Sequence, residues 1–231
     1  MKKNDYSPLE KTTKIKFKDE NLINRAFTHK SFINEYKGDD LKDNERLEFL
    51  GDAVLELATT IHLFDKYPEK DEGRMTAFRS ALVKGKHLAE VGKNLDLGSY
   101  LYLSNGEERS GGREKNYILA NVVEAFIGAI YVEHGFDIAE KFISEFILNN
   151  LENIIKDGLH LDAKSKFQEI AQEKEGVTPN YELISDEGPD HDKTFIMGVF
   201  INEEKIAEGT GSSKQKAEEN AAENALKVKG W

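Results

Sequence analysis

The sequence predicts an all-α domain followed by a small α+β domain with the order α-β-β-β-α. Three observations carry that prediction. Apolar residues recur at three-and-four spacing through 21–36, 44–64, 74–92, 115–133 and 137–155, the repeat that collects side chains on one face of a helix. Downstream the period changes to two: Tyr181 and Leu183 alternate with polar residues, and Phe195, Met197, Val199 and Ile201 occupy alternate positions, as in strands with one buried face. Between the two patterns lies KDGLH, where Gly158 punctuates the chain before Asp162 offers the N-cap of a new helix. The boundaries read as 5–155 for the first domain, 156–161 for a linker and 162–231 for the second domain.

Taken in order, the helix that matters most in the first domain is Asn44 to Leu57, NERLEFLGDAVLEL, which places Glu45, Glu48 and Asp52 along one side of an otherwise apolar surface. Three carboxylates there repel one another and lose hydration as the leucines pack, and a cation shared by them is the simplest compensation. The segment Ile118 to Val132, ILANVVEAFIGAIYV, is apolar nearly all round a helix and is interrupted chiefly by Asn121 and Glu124, again three apart. A lone acid at helix spacing is usually a solvated face residue. Two apolar helices each carrying embedded oxygen donors, packed together, would instead converge four of them on one point, the ligand set of a magnesium site. In the second domain a tight turn at 202–204 leads into KIAEG, and a last helix begins near Ser212, with the alanines of KQKAEENAAENALKVK on one face.

Composition bounds the function. A chain of 231 residues with 39% apolar content can bury one large or two modest cores. No cysteine is present, which removes disulfides, thiolate zinc sites and cysteine nucleophiles. No run approaches the roughly 18 apolar residues of a membrane span, and MKKNDYSPLEK lacks the apolar centre of a signal peptide, so a soluble, cytoplasmic protein without a membrane partner is expected. The six histidines are scattered with none at i and i+4, against a zinc hydrolase helix. SGGR is not followed by Gly-Lys-Ser or Gly-Lys-Thr, against a nucleotide-cradling loop, and no small-molecule cofactor is expected. A net charge of -11 argues naively against nucleic acid, but local potential rather than net charge guides such binding.

At ERLEFLGD, residues 45–52, the chain resembles the ribonuclease III family of endonucleases that cut double-stranded RNA. Phe27, Thr28, His29 and Ser31 look like the family's early THxS segment, and DEGRMTAFRSALVKGKHLA (71–89) and NGEERSGG (105–112) follow its pattern. The resemblance implies hydrolysis of phosphodiester bonds in duplex RNA with Mg2+, for which Mn2+ can substitute, leaving 5′-phosphate and 3′-hydroxyl ends with short 3′ overhangs. It implies processing of ribosomal RNA precursors and other structured RNAs. By position, Glu48, Asp52 and Glu124 match the family's catalytic, metal-holding acids, with Asn121 as a fourth metal ligand and Glu45 and Glu72 as contributors near the cleavage centre. Asn121 departs from the pattern, since many members have Asp there, and an amide is a weaker ligand for a hard cation. The alternative is therefore a catalytically weakened double-stranded RNA-binding protein. A homodimer is implied, with Phe49 as a dimer contact; a plain core position fits Phe49 equally well from sequence alone.

The second domain resembles a double-stranded RNA-binding domain. Lys166, Phe167, Gln168 and Glu169 stand on its opening helix, where the family places a minor-groove contact. GPDH at 188–191, with His191, looks like the loop that enters a neighbouring minor groove, and GTGSSKQKA at 209–217 places Lys214 and Lys216 at the start of the last helix, facing phosphate. A module of this kind reads the shape, phosphates and 2′-hydroxyls of A-form RNA rather than sequence. Nine lysines against fifteen acids over 162–231 mean that any such binding depends on one face and is salt-sensitive.

Overall fold

The computed structural model describes residues 4–36, 42–156, 162–189 and 193–231. The chain divides into two compact units, 1–157 and 158–231.

The first unit contains α1 (Ser7–Thr13), α2 (Glu20–Ala26), α3 (Lys30–Glu35), α4 (Glu45–Lys66), α5 (Glu72–Leu82), α6 (Gly85–Asn94), α7 (Asn105–Arg109), α8 (Asn116–His134), α9 (Phe136–Phe146) and α10 (Leu151–Lys156), with short 3-10 turns between some of them. Its axis is α8, because that helix is apolar on nearly every side: Val122, Val123, Ala125, Ile127, Ala129 and Ile130 are wholly buried. Helices α4, α6, α9 and α2 pack around it. The α4–α8 crossing is close because glycines face it reciprocally. A Cβ on Gly51 would lie 1.8 Å from the carbonyl oxygen of Glu124, and one on Gly128 would lie 2.2 Å from that of Leu47. No side chain fits at either point, so backbone meets backbone and the polar residues flanking the contact are drawn together.

Three of the helical stretches read from the sequence are broken. The 21–36 stretch is α2 and α3, because Tyr102 N–H donates to the Phe27 carbonyl at 2.9 Å and His29 N–H donates to the Tyr102 carbonyl at 3.1 Å. Those ladder bonds hold Thr28 in a β-bridge with Tyr102, and the helix stops. The 74–92 stretch parts at Val83 and Lys84, where Lys84 has extended backbone before Gly85. The 137–155 stretch ends at Phe146 and resumes, after a 3-10 turn at Leu148–Asn150, as α10. Helices α1 and α7 are additional to the sequence reading; Pro8 opens α1, where its missing N–H costs nothing.

The second unit follows the expected order: α11 (Ala163–Glu175), β1 (Asn180–Glu187), β2 (Thr194–Ile201), β3 (Glu204–Gly211) and α12 (Lys214–Lys229). The Asp162 side chain accepts from Ser165 N–H at 2.9 Å and caps α11. The sheet is antiparallel in the order β1-β2-β3, and Asn202, at φ 54°, makes the turn between β2 and β3 in a conformation asparagine tolerates. The core is small: Phe167, Ala171, Val199 and Ile201 meet the alanine face of α12, Ala221, Ala222 and Ala225. Gly209 lets α12 lie against β3, since a Cβ there would come within 2.1 Å of Ala221 N. Trp231 closes the end by stacking on Phe167, ring centroids 5.4 Å apart.

Among the described residues no helix is long and apolar enough to cross a membrane. Residues 157–161 of the expected linker and His191, with Asp190 of its loop, lie outside the described residues.

Candidate active site and nucleic-acid interface

Glu48, Asp52 and Glu124 meet where α4 crosses α8. Glu48 is half-buried and accepts a hydrogen bond from the Asn121 side chain. Burial pushes its carboxyl above the usual range; the Asn121 bond opposes that, while the charges of Glu45, Asp52 and Asp43 reinforce it. Glu124 is also half-buried, and burial, with Asp52 and Glu48 facing it, raises its pKa to about 7. Asp52 is exposed beside them. Glu45, one helical turn before Glu48, is exposed at the rim and bound to Lys30 Nζ at 2.8 Å.

Like-charged carboxylates held together with one of them half-protonated near neutrality form a site that lacks positive charge. Among the described residues no three His, Cys, Asp or Glu side chains already form a metal cage. The donors present are nevertheless all oxygen, three carboxylates and an amide carbonyl, the set a hard divalent cation takes. Magnesium keeps several of its waters and needs one or two carboxylates rather than a closed protein cage, so the donor chemistry fits it.

A cavity of about 450 Å3 opens beside the acids, lined by Glu45, Glu48 and Asn121 together with His29, Asn34 and Asn44. His29 is fixed there: its Nδ1 accepts from Ser31 N–H at 3.2 Å and lies 2.8 Å from Ser31 Oγ, which in turn accepts from Ser104 N–H at 3.1 Å.

Two sequence-derived candidates stand apart from the cluster. Phe49 is 80% exposed, so the core reading of this residue is excluded. Glu72 is exposed in the first turn of α5. On that helix Arg79 meets Thr60 at 3.0 Å and Glu56 at 3.4 Å. Glu72, about 10 Å further along at 1.5 Å per residue, therefore lies toward the C-terminal end of α4, away from Glu48.

In the second unit the lysines divide into committed and uncommitted groups. Lys164 pairs with Glu218 at 2.6 Å, Lys205 with Glu208 at 2.6 Å, Lys229 with Glu175 at 2.9 Å, and Lys193 with Asp186. Lys214 and Lys216 are exposed in the first turn of α12, where Ser213 accepts from Lys216 N–H; among the described residues Lys216 Nζ reaches only Ser212 Oγ, at 3.4 Å. Two uncommitted cations thus stand at the positive end of a 16-residue helix dipole. On α11, Gln168 is exposed and Glu169 half-buried.

Residues 19–151 match the family model described as Ribonuclease-III-like, and residues 163–229 match the double-stranded RNA binding motif. The chain belongs to the ribonuclease III family. Curated relatives named Ribonuclease 3 include that of Enterococcus faecalis, 45% identical over 213 residues and covering 92% of each chain. Another, from Pelotomaculum thermopropionicum, is 42% identical and covers 92% of this chain and 88% of its own. Two solved structures of the ribonuclease III nuclease domain from Campylobacter jejuni are similar to the first unit. One, at 43% identity, has a TM-score of 0.58 over 65% of this chain and 97% of that one. The other, at 42% identity and TM-score 0.59, covers 63% and 98%, and is described as flexible in a region involved in dimer formation.

A ribonuclease with a duplex-RNA-binding module explains both units, and it shows which residues the sequence reading passed over. Gly51 and Gly128 set the approach of the two acid-bearing helices, yet glycine inside a helical pattern signals only weakened propensity. His29 and Ser31 belong to a short motif, but the bond from Ser104 N–H to Ser31 Oγ joins segments 73 residues apart and leaves no local pattern.

Proposed function

We propose that this ribonuclease is a magnesium-dependent endonuclease that hydrolyses both strands of duplex RNA. It leaves 5′-phosphates and 3′-hydroxyls with short 3′ overhangs, and acts as a cytoplasmic homodimer on ribosomal RNA precursors and other structured RNAs. The observation that carries the reading is the convergence of Glu48, Asp52, Asn121 and Glu124 at a glycine-tight helix crossing, with Glu124 held near a pKa of 7. Magnesium would be held by Glu48, Asp52, Asn121 and Glu124 and would supply Lewis-acid chemistry there. The chain's own part is positional. Asn121 holds the Glu48 carboxylate by a hydrogen bond, Glu124 would complete the donor set as a carboxylate, and Glu45, paired with Lys30, borders the cavity that would receive the strand.

Dimerisation is supported by the outer side of α4, where Phe49, Leu57 and Phe64 are 80%, 53% and 68% exposed. At spacings of eight and seven residues they form one stripe. Two copies paired antiparallel about Leu57 would bury it and bring Glu72 of a second copy toward the acid end of the first, the role we assign to that residue. In the second unit we assign RNA contact to Gln168, Glu169, His191, Lys214 and Lys216.

The test is to incubate a long RNA duplex with the protein and magnesium or manganese, against an EDTA control. Metal-dependent release of short duplexes with 5′-phosphates is the expected result. Protection of the duplex without cutting would leave a double-stranded RNA-binding protein weakened by Asn121.

A further inference from the structure

The cavity beside the acids has a wall that metal binding does not use. His29 lines it, and the ring's tautomer is settled by its neighbours: a backbone N–H can only donate, so Nδ1, which receives the Ser31 N–H, is the acceptor and the ring proton is on Nε2. Ser31 Oγ, held by the Ser104 N–H, completes the chain of bonds that fixes the ring. Around it the lining is uncharged, with Asn34, Asn44 and Ile118. Among the described residues that line the cavity the cation is Lys30, bound to Glu45 at 2.8 Å. Among the described lining residues, a phosphate placed here would meet Glu45 and Glu48 with no uncommitted positive charge to offset them. A neutral hydroxyl meets donors and acceptors without that repulsion, and about 450 Å3 is ample for a sugar.

We propose that this cavity is a ribose subsite adjoining the scissile phosphate, in which His29 Nε2–H donates to a 2′-oxygen and so contributes to the choice of RNA over DNA. The inference rests on the nuclease reading above and adds a specificity residue to it. The 2′-oxygen is the chemical difference between the two sugars, and one oriented neutral donor suffices to read it.

The experiment uses the full chain with magnesium and a duplex carrying single 2′-deoxy substitutions walked across the nucleotides that flank the cleaved bond. Single-turnover rates are compared for wild type, His29→Phe and His29→Gln, with melting curves confirming that each is folded. Loss of one such hydrogen bond corresponds to roughly 3- to 10-fold in rate. Wild type is expected to slow by that factor at one position. His29→Phe should cut the all-ribose duplex more slowly by a similar factor and show no further loss at that position, while His29→Gln, which keeps a side-chain N–H, retains part of the discrimination. A wild type indifferent to every single deoxy substitution overturns the subsite whatever the variants do, and so does a folded His29→Phe that discriminates as wild type does. A wild type that does not cut the all-ribose duplex overturns the nuclease reading itself, a separable result.

Discussion

Gly51 of α4 lies against the backbone carbonyl of Glu124 in α8, so closely that a Cβ at position 51 would stand 1.8 Å from that oxygen. The obstacle is backbone within a buried helix, which cannot swing aside as a side chain would. Gly51→Ala should therefore cost more than the roughly 1–3 kcal/mol of ordinary overpacking, and it should also part Glu48 and Asp52 from Glu124. Thermal melting and cleavage of duplex RNA check both. An alanine variant that melts within about 2 °C of wild type and still cuts would mean that the helices do not pack this closely.

The pKa of Glu124, raised to about 7, gives the metal-free protein an unusual pH response. Its folded state keeps a proton that the unfolded chain releases near 4.5, so the folded state binds more protons through that window and stability falls as pH rises from about 4.5 to 7. Discounting for partial exposure, the effect is on the order of 1–2 kcal/mol. Glu124→Gln should flatten this slope in urea melts performed in EDTA. The same variant should bind duplex RNA normally in calcium and cut it at least about 100-fold more slowly in magnesium. Near-normal cutting would remove Glu124 from the chemistry; parallel loss of binding would point to a damaged fold.

Asn121 donates to Glu48, which no carboxylate could do. Asn121→Asp exchanges that bond for a further negative charge among three acids. The expected outcome is a metal-free protein less stable near neutral pH, together with half-maximal cleavage at a lower magnesium concentration. Magnesium titrations of rate and of melting temperature measure both. If the Asp variant needs more magnesium or loses activity, the site is built around the amide.

How far these features could be read from sequence depends on whether their cause is local. The acids were legible because they violate an apolar helical pattern at fixed spacing, and ERLEFLGD carries that violation within eight residues. The break after α2 was not legible, since it is imposed by Tyr102, more than seventy positions away. In the second unit the alternation that marks strands held for Met197, Val199 and Ile201, all buried. It failed in β1, where a register shift between Leu183 and Ser185 leaves both Leu183 and Ile184 more than 40% exposed. A bulge leaves no trace in a period-two pattern. Phe49 was ambiguous because an aromatic residue on an apolar helix reads the same whether its partner is the chain's own core or a second copy.

That ambiguity makes the exposed stripe of α4 a direct test of assembly. Phe49→Glu combined with Phe64→Glu places charges at both ends of the stripe without touching the buried face of the helix. Wild type should be a dimer by light scattering and the double variant a monomer with a similar melting profile at high dilution. The variant should also lose paired cutting of opposite strands. A wild-type monomer that cuts both strands would overturn the paired arrangement and, with it, the role given to Glu72.

The last prediction concerns how an acidic domain holds an acidic polymer. Lys214 and Lys216 are uncommitted cations at the start of α12, while Lys164, Lys193, Lys205 and Lys229 are neutralised by carboxylates of the same unit. If the helix end meets phosphate, each lysine displaces condensed counterions, so replacing both with alanine should weaken duplex binding equally across unrelated sequences. It should also reduce the slope of log affinity against log salt by about one unit per lost contact. Stability should change by no more than about 0.5 kcal/mol, because both side chains are exposed and neither is in an ion pair among the described residues. Lys205→Ala is the internal control: it removes the same charge from the sheet but frees Glu208, and it should leave the slope unchanged. Gel shifts at several salt concentrations decide the matter. Equal slopes for wild type and the Lys214/Lys216 double variant would return these residues to the solvated surface and move the phosphate contact elsewhere in the domain.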